Sequence, residues 1–235
     1  MLRRTALKAT VAALLLAGLS APAAAEMTGV TATEIKIGAT FPYSGPASAL
    51  GNVGKALTAY VTFINERGGV NGRKINLIAL DDAYSPPKTV EQTRKLVESD
   101  EVAFMFATLG TPSNLAIAKY LASKKVPQAF IVTGAARFTN YQEYPFITTA
   151  LPSYATESRI YARYVARKFP DAKIAILYQN DELGKDFLHG FQDEMKGAFD
   201  SKVITAAYEV SQPTIDSQIV SLKSSGATVF LFAGT

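Results

Sequence analysis

Between residues 34 and 235 the hydrophobic pattern switches again and again between two periods, and this alternation restricts the fold more than any other feature of the chain. Ile35 to Thr40 sets Ile35, Ile37 and Ala39 against Lys36 and Gly38, the two-residue repeat of a strand. From Leu50 onward Val53, Leu57, Tyr60, Val61 and Ile64 recur at helical spacing, up to Gly68-Gly69, a natural helix stop. The pair of patterns returns as strand Lys74 to Leu80 and helix Lys88 to Glu98, entered through Pro86-Pro87 where missing amide donors cost least. It returns again as strand Val102 to Ala107 with helix Ser113 to Lys124. Next comes strand Gln128 to Val132, whose run Ala129-Phe130-Ile131-Val132 is apolar on both faces, as a covered parallel strand requires. After a short strand, Phe146 to Thr149, helix Tyr154 to Lys168 carries Ile160, Tyr161, Tyr164 and Val165 on one stripe. Lys173 to Tyr178, Phe187 to Phe199, Val203 to Tyr208, Ile215 to Ser224 and Thr228 to Ala233 repeat the theme. Strand and helix in such regular turn predict an α/β fold with right-handed crossovers and doubly wound, mostly parallel sheets.

About six of the expected strands fall before Leu151 and three after it, and the strand between Pro145 and Pro152 is not followed at once by a helix. The expected organisation is a first lobe over 26–148 and a second over 149–235, with the chain crossing in that stretch. The last strand runs into Phe232-Ala233-Gly234-Thr235 with no helix after it, so the second lobe is expected to be partial and the chain to be the front of a longer protein.

Residues 1–25 carry Arg3, Arg4 and Lys8, then an apolar run from Ala9 to Leu19, then Ala23-Ala24-Ala25. This is the build of a secretory signal peptide cleaved near Ala25. The apolar run has roughly half the ~20 residues that a membrane span needs. The Arg3-Arg4 pair leaves both general and twin-arginine export open. Those three cations also explain most of the formal charge of +4, since the leader contains no acid. In the rest of the chain basic residues are dispersed among acids, without a stripe of arginines and aromatics, and nucleic acid is not an expected partner.

The chain has no Cys and one His, His189. Disulfides, thiolate zinc, a Cys nucleophile, a triad around a second His and a multi-His metal site are therefore all excluded. His189 lies within Phe187-Leu188-His189-Gly190-Phe191, where a helix-surface role is expected. Gly51-Asn52-Val53-Gly54-Lys55-Ala56 resembles a phosphate loop only in passing, because Ala49 and Ala56 stand where Gly and Ser or Thr are needed. No G-x-G-x-x-G follows the first strand and no G-x-S-x-G is present. Asp81-Asp82 could serve a hydrolase, with Asp82 as its carboxylate, but neighbouring strand side chains point apart, and a cap or turn role is expected. Asp171, Asp181, Glu182 and Asp186 read as solvated caps and loops.

What remains is a set of small polar loops at the carboxyl ends of expected strands: Ser44-Gly45, Leu109 to Ser113, Thr133 to Ala136, and Gln179-Asn180-Asp181. Ligands of open α/β sheets settle at that edge. Free amides and hydroxyls at helix N-termini suit a carboxylate, because the helix dipole and unsatisfied N–H groups converge there.

The stretches Ile35-Lys36-Ile37-Gly38-Ala39-Thr40 and Ser44-Gly45-Pro46-Ala47, the block Asn65-Glu66-Arg67-Gly68-Gly69-Val70-Asn71-Gly72-Arg73, and Leu80-Asp81-Asp82 with Pro86-Pro87-Lys88 resemble the amino-terminal half of the branched-chain amino acid (Leu/Ile/Val) binding proteins. These are type I periplasmic solute-binding components of ABC importers, and the resemblance runs from about Glu34 to Thr235. It implies two α/β lobes joined by crossing strands and closing over a ligand, no enzymatic activity, no cofactor and no metal. It also implies a periplasmic monomer that captures a small carboxylate and delivers it to permease subunits in the inner membrane; a periplasmic sensor feeding a signalling receptor is the alternative on the same fold. Carried over by position, Leu109, Gly110, Thr111 and Ser113 match the loop that holds the ligand carboxylate, and Thr133, Gly134, Ala135 and Ala136 the second such loop. Tyr154 matches a cleft-lining position and Leu50 one that packs on the ligand's apolar part. Two departures stand out. Leu109-Gly110-Thr111-Pro112 replaces a Ser-rich segment, and the acid that pairs with a ligand amino group would fall beyond Thr235. The resemblance therefore extends to other amino acids and to aromatic acids.

Overall fold

The computed structural model describes residues 27–235; the expected leader and its cleavage point lie outside them. The described residues form eight strands in two sheets, and every strand pair is parallel. The first sheet is built from β1 (Glu34–Phe41), α1 (Gly51–Glu66), β2 (Lys74–Asp81), α2 (Pro86–Glu98), β3 (Phe104–Phe106), α3 (Thr111–Lys124), β4 (Gln128–Ile131) and β5 (Ile147–Thr149), with strand order β2-β1-β3-β4-β5. The second follows from α4 (Tyr154–Lys168), β6 (Ile174–Gln179), α5 (Glu182–Met195), a short α6 (Phe199–Lys202), β7 (Val203–Tyr208), α7 (Asp216–Ser224) and β8 (Val229–Ala233), in the order β7-β6-β8. In both sheets the first strand lies inside and the next two flank it. Each sheet therefore has a point where the winding reverses, and the loops there diverge to leave a crevice.

Helices cover both faces of each sheet. On one face of the first, Phe41 and Ala39 pack with Leu109 and Tyr84 against Leu50 and Leu57 beside or within α1. On the other, Met105 meets Leu96 of α2 and Ile117 and Leu121 of α3. In β6 the two-residue period divides the strand between layers: Ile174 and Ile176 face Ala162, Val165, Phe187 and Phe191 of α4 and α5, whereas Ala175 and Leu177 face Tyr208 and Leu222. Each fully buried large side chain contributes about 1.5–3 kcal/mol by leaving water.

Several expectations are corrected. Five strands, not six, precede Leu151, and the third is three residues long rather than six. The run in β4 is not buried on both faces. Phe130 is 56% exposed at a φ of 54°, in a strand whose register with β5 shifts, and its ring meets Phe106 edge-on at 5.9 Å. In α4 most of the expected stripe is turned outward: Ile160, Tyr161 and Tyr164 are 59%, 41% and 51% exposed, while Val165 of that stripe is buried together with Ser158 and Ala162. The cause is the close approach of α5. A Cβ placed on Gly190 would stand 2.3 Å from Ala155 O and 2.2 Å from Ser158 Oγ, so only small residues fit at that point of contact. Finally, α5 starts at Glu182 rather than Phe187, because Asp181 caps it by accepting from Leu183 N at 2.9 Å.

The chain leaves the first sheet where Ala150 N donates to Ile131 O (3.0 Å), and three residues later Ser153 caps α4, its Oγ accepting from Thr156 N (3.1 Å). The crossing is pinned at Gly134, whose carbonyl accepts from Tyr154 N at 2.8 Å.

Candidate functional site

Loops from the carboxyl ends of both sheets face one another across a cleft of about 320 Å³, within the range typical of small-molecule sites. The first lobe supplies Leu50 and Val53 at the start of α1, Tyr84 after β2, Leu109, Gly110 and Thr111 after β3, and Val132 after β4. Opposite stand Tyr154, Glu157 and Tyr161 of α4, Leu183 and Phe187 of α5, and Phe232 to Thr235 at the end of β8, with Leu151 at the crossing. The lining is mostly aliphatic and aromatic. Its one ionisable carboxylate is Glu157, which accepts from Tyr161 Oη at 2.8 Å, and no Lys, Arg or His is among the lining residues.

The first-lobe rim is set by hydrogen bonds buried beneath it. Asp82 is fully buried; its Oδ1 accepts from Tyr84 N (2.9 Å), and its Oδ2 from Thr89 Oγ1 (2.9 Å) and Ser113 Oγ (3.3 Å). That one carboxylate joins the β2–α2 turn, the first turn of α2 and the first turn of α3. Burial raises its pKa against the opposing effect of those donors. Asp81 moves the other way. Burial pushes its pKa up, but hydrogen bonds from Ser44, Lys88 and Ala83 N together hold it below the ordinary carboxylate range. The residue pair expected to cap or turn thus does so, with opposite proton affinities.

At the start of α3, Gly110 has a φ of 110°, a conformation that suits glycine, and a Cβ there would stand 2.9 Å from the Tyr84 ring. The helical bond series opens with Asn114 N donating to Gly110 O (3.0 Å). Pro112 has no N–H, so the amides of Thr111 and Ser113 remain for other acceptors. Asn114 Nδ2 fixes the loop by donating to Thr108 O (2.9 Å) and Gly110 O (2.8 Å).

Of the residues singled out from sequence, Leu50, Leu109, Gly110, Thr111 and Tyr154 line the cleft together. Ser113, Thr133, Gly134, Ala135 and Ala136 do not line it. Ser113 is buried on Asp82 and Thr89, and Thr133 Oγ1 shares a 2.7 Å hydrogen bond with Thr111 Oγ1 and accepts from Ala135 N. Gly134 is covered by Pro152 and Tyr154. Ala136 N donates across the lobes to Asp186 Oδ2 at 2.6 Å, beside an Arg137–Glu182 pair at 3.5 Å. Asp186 is therefore not simply solvated, and burial raises its pKa. Sequence reasoning missed Tyr84, Glu157, Leu183 and the Phe232 to Thr235 strand end. The strand-end rule that found Leu109 to Thr111 also applied after β2 and β8. His189 is exposed on α5.

A family profile described as "Periplasmic binding protein" matches residues 34–235. A "Leu/Ile/Val-binding protein homolog 7" from Brucella suis biovar 1 (strain 1330) is 28% identical over 227 residues, covering 93% of this chain and 54% of that protein. Among solved structures, a possible leucine/isoleucine/valine-binding protein from Rhodopirellula baltica SH 1 superposes with a TM-score of 0.77 at 23% identity, over 90% of this chain and 58% of the other. A solute-binding protein of an ABC transporter from Rhodopseudomonas palustris BisB5, in complex with 3,4-dihydroxybenzoic acid, gives 0.71 at 23% identity, over 85% and 54%. The chain thus spans about half the length of the curated relatives it matches.

Proposed function

The chain belongs to the periplasmic binding protein family, a family of binding proteins rather than enzymes, and on that premise we propose that it captures a small carboxylate in the interlobe cleft and delivers it to an inner-membrane ABC permease. The observation that carries this reading is the cleft itself, lined from both lobes, mostly apolar and bordered by Gly110 and Thr111 at the start of α3. The ligand carboxylate is placed at Thr111, where the helix dipole and the free first-turn N–H groups stabilise an anion without a cation nearby. Leu50, Val53, Leu183, Phe187 and Phe232 enclose its apolar body. Amino acids with branched chains and aromatic acids both fit that description. A relative named for Leu, Ile and Val and a fold neighbour holding a dihydroxybenzoate support the two classes.

Binding works by population shift. A molecule that touches both walls only when they are close stabilises the closed arrangement by its differential affinity. The proposal includes lobe limits at residues 148 and 149, supported by the passage of the chain between Ala150 and Ser153; a further part is export behind a leader cleaved near Ala25, and action as a monomer. Calorimetric titration of L-leucine, L-isoleucine, L-valine, benzoate and 3,4-dihydroxybenzoate tests it: saturable one-to-one binding of at least one is expected, and silence toward all five contradicts it.

A further inference from the structure

Among the described residues five buried side-chain polar atoms lack a hydrogen-bond partner, and of these Tyr84 Oη alone belongs to a residue on the cleft. Tyr84 is 6% exposed, and burial pushes its pKa up to about 12. An unmade hydrogen bond leaves the desolvation of a buried hydroxyl uncompensated, so the arrangement that keeps it unmade calls for a reason.

The neighbours do not supply the bond. Gln179 and Thr235 approach from the second lobe and oppose the rise in pKa, yet neither meets hydrogen-bond geometry with Tyr84. Gln179 Oε1 is already taken: it accepts from Thr235 Oγ1 at 2.7 Å, Thr235 N at 3.2 Å and Tyr208 Oη at 3.2 Å. Gln179 Nε2 donates to Asp181 Oδ2 at 2.5 Å and, being a donor only, offers no acceptor for the Tyr84 proton. A carbonyl oxygen with two lone pairs has no place for a fourth donor.

The backbone, meanwhile, is constrained to hold the ring where it is. Ala83 and Tyr84 are consecutive residues in the left-handed region, at φ of 51° and 58°, which strains a residue that carries a Cβ. Two carboxylates stabilise the turn: Asp81 Oδ1 accepts from Ala83 N at 3.0 Å, and Asp82 Oδ1 from Tyr84 N at 2.9 Å. The ring then packs on Gly110, where any Cβ would strike it, and joins Ala39, Phe41 and Leu109. Strain maintained at a cleft wall, ending in a partnerless donor, is the pattern of a group set to meet something that arrives.

We infer that Tyr84 is a ligand-contacting, specificity-determining residue of the cleft, whose hydroxyl donates to an oxygen acceptor of the bound small molecule and selects against molecules that are apolar at that point. The inference rests on the proposed binding role. It adds a neutral donor from the β2–α2 turn to the amides of α3, which is how a cleft wall without cations can still discriminate among oxygen-bearing ligands. A site with an unpaired buried donor rejects analogues that cannot satisfy it far more strongly than an apolar pocket rejects a misfit.

The test compares Tyr84→Phe and Leu50→Arg with the wild type, using whichever of the five probes binds the wild type most tightly, together with ligand-free melting of all three proteins. Tyr84→Phe is expected to weaken that probe about tenfold or more and to leave the ligand-free melting temperature unchanged or higher, because it deletes an unsatisfied hydroxyl. Unchanged affinity overturns the inference. So does a clear fall in ligand-free melting temperature, which would show that the hydroxyl is bonded within the protein. Leu50→Arg is expected to abolish binding by filling the same cleft with a charge. If Leu50→Arg abolishes binding and Tyr84→Phe does not alter it, the Tyr84 assignment alone is wrong. If Leu50→Arg also binds normally, the cleft reading fails and this inference with it.

Discussion

The two walls of the cleft are held in different ways. The first-lobe wall stands on buried polar bonds that tie three loops together: Asp82 to Tyr84, Thr89 and Ser113, Thr111 to Thr133, and Asn114 to the carbonyls of Thr108 and Gly110. The second-lobe wall has a smaller sheet, and its polar centre is Gln179 with Tyr208, Asp181 and the Thr235 strand end. A wall bonded within itself keeps its shape whether or not a ligand is there. Among the described residues the wall on the three-stranded sheet has fewer buried polar ties between its loops and rests on helix packing, α4 and α5 on one face of β6 and α7 on the other. The second wall is therefore the one that local unfolding should reach first.

The largest effect that could break this contrast comes from the cores. Phe191→Ala in the second lobe and Leu96→Ala in the first both empty fully buried sites and should each cost about 3–5 kcal/mol or slightly less. Their reach should differ. Amide exchange should accelerate throughout β6 and α5 in Phe191→Ala while β1 and β3 stay protected, whereas Leu96→Ala should loosen the whole molecule. Equal acceleration in both sheets for both variants would erase the distinction.

A smaller effect concerns proton linkage in the first wall. Burial keeps the proton on Asp82 to a higher pH in the folded state than the ordinary value near 3.9 in the unfolded chain. The stability it contributes is then fully present below about pH 4 and is lost as pH rises through the folded value. Asp82→Asn removes that slope, so from pH 4 to 7 the melting temperature of the wild type should decline relative to the variant. The difference is bounded by the hydrogen bonds involved, about 1–3 kcal/mol. Asp81 has the opposite sign: its contribution is present above about pH 4 and is lost on acidification. A rise in wild-type stability relative to Asp82→Asn over pH 4–7 would reverse the assignment.

Much of this fold was legible in the sequence because covered parallel strands must be apolar on both faces, and the helices between them must carry one apolar side. The reading failed where packing overrode pattern. Ile160 and Tyr164 of α4 face outward, and at the closest approach of α5, at Gly190, the positions turned inward are the small Ala155 and Ser158. The exposed Phe130 follows from a left-handed residue inside a strand, which no residue type announces. At the cleft, Leu109 to Thr111 were found by their place after a strand, as was Tyr154 by resemblance. Tyr84 was missed because its direction depends on two successive left-handed residues that are not glycine, and Phe232 to Thr235 because only the packing of one lobe on the other brings them there.

The smallest effect sharpens the contrast at the surface. Arg163 and Glu194 join α4 to α5 at 2.9 Å, with the arginine side chain 70% exposed. Removing the pair in Arg163→Ala should leave the melting temperature nearly unchanged, because solvent screens an exposed ion pair; a melting loss comparable to that of Phe191→Ala would mean that the helix layer depends on charge rather than on close packing.

The central claim is that one molecule is held between the two walls, and amide exchange with and without the tightest-binding probe tests it most directly. The account predicts slower exchange in residues 109–113 of the first wall and in residues 232–235 of the second, at the same probe concentration. Slowing confined to one wall, or saturable binding that slows neither, would contradict it.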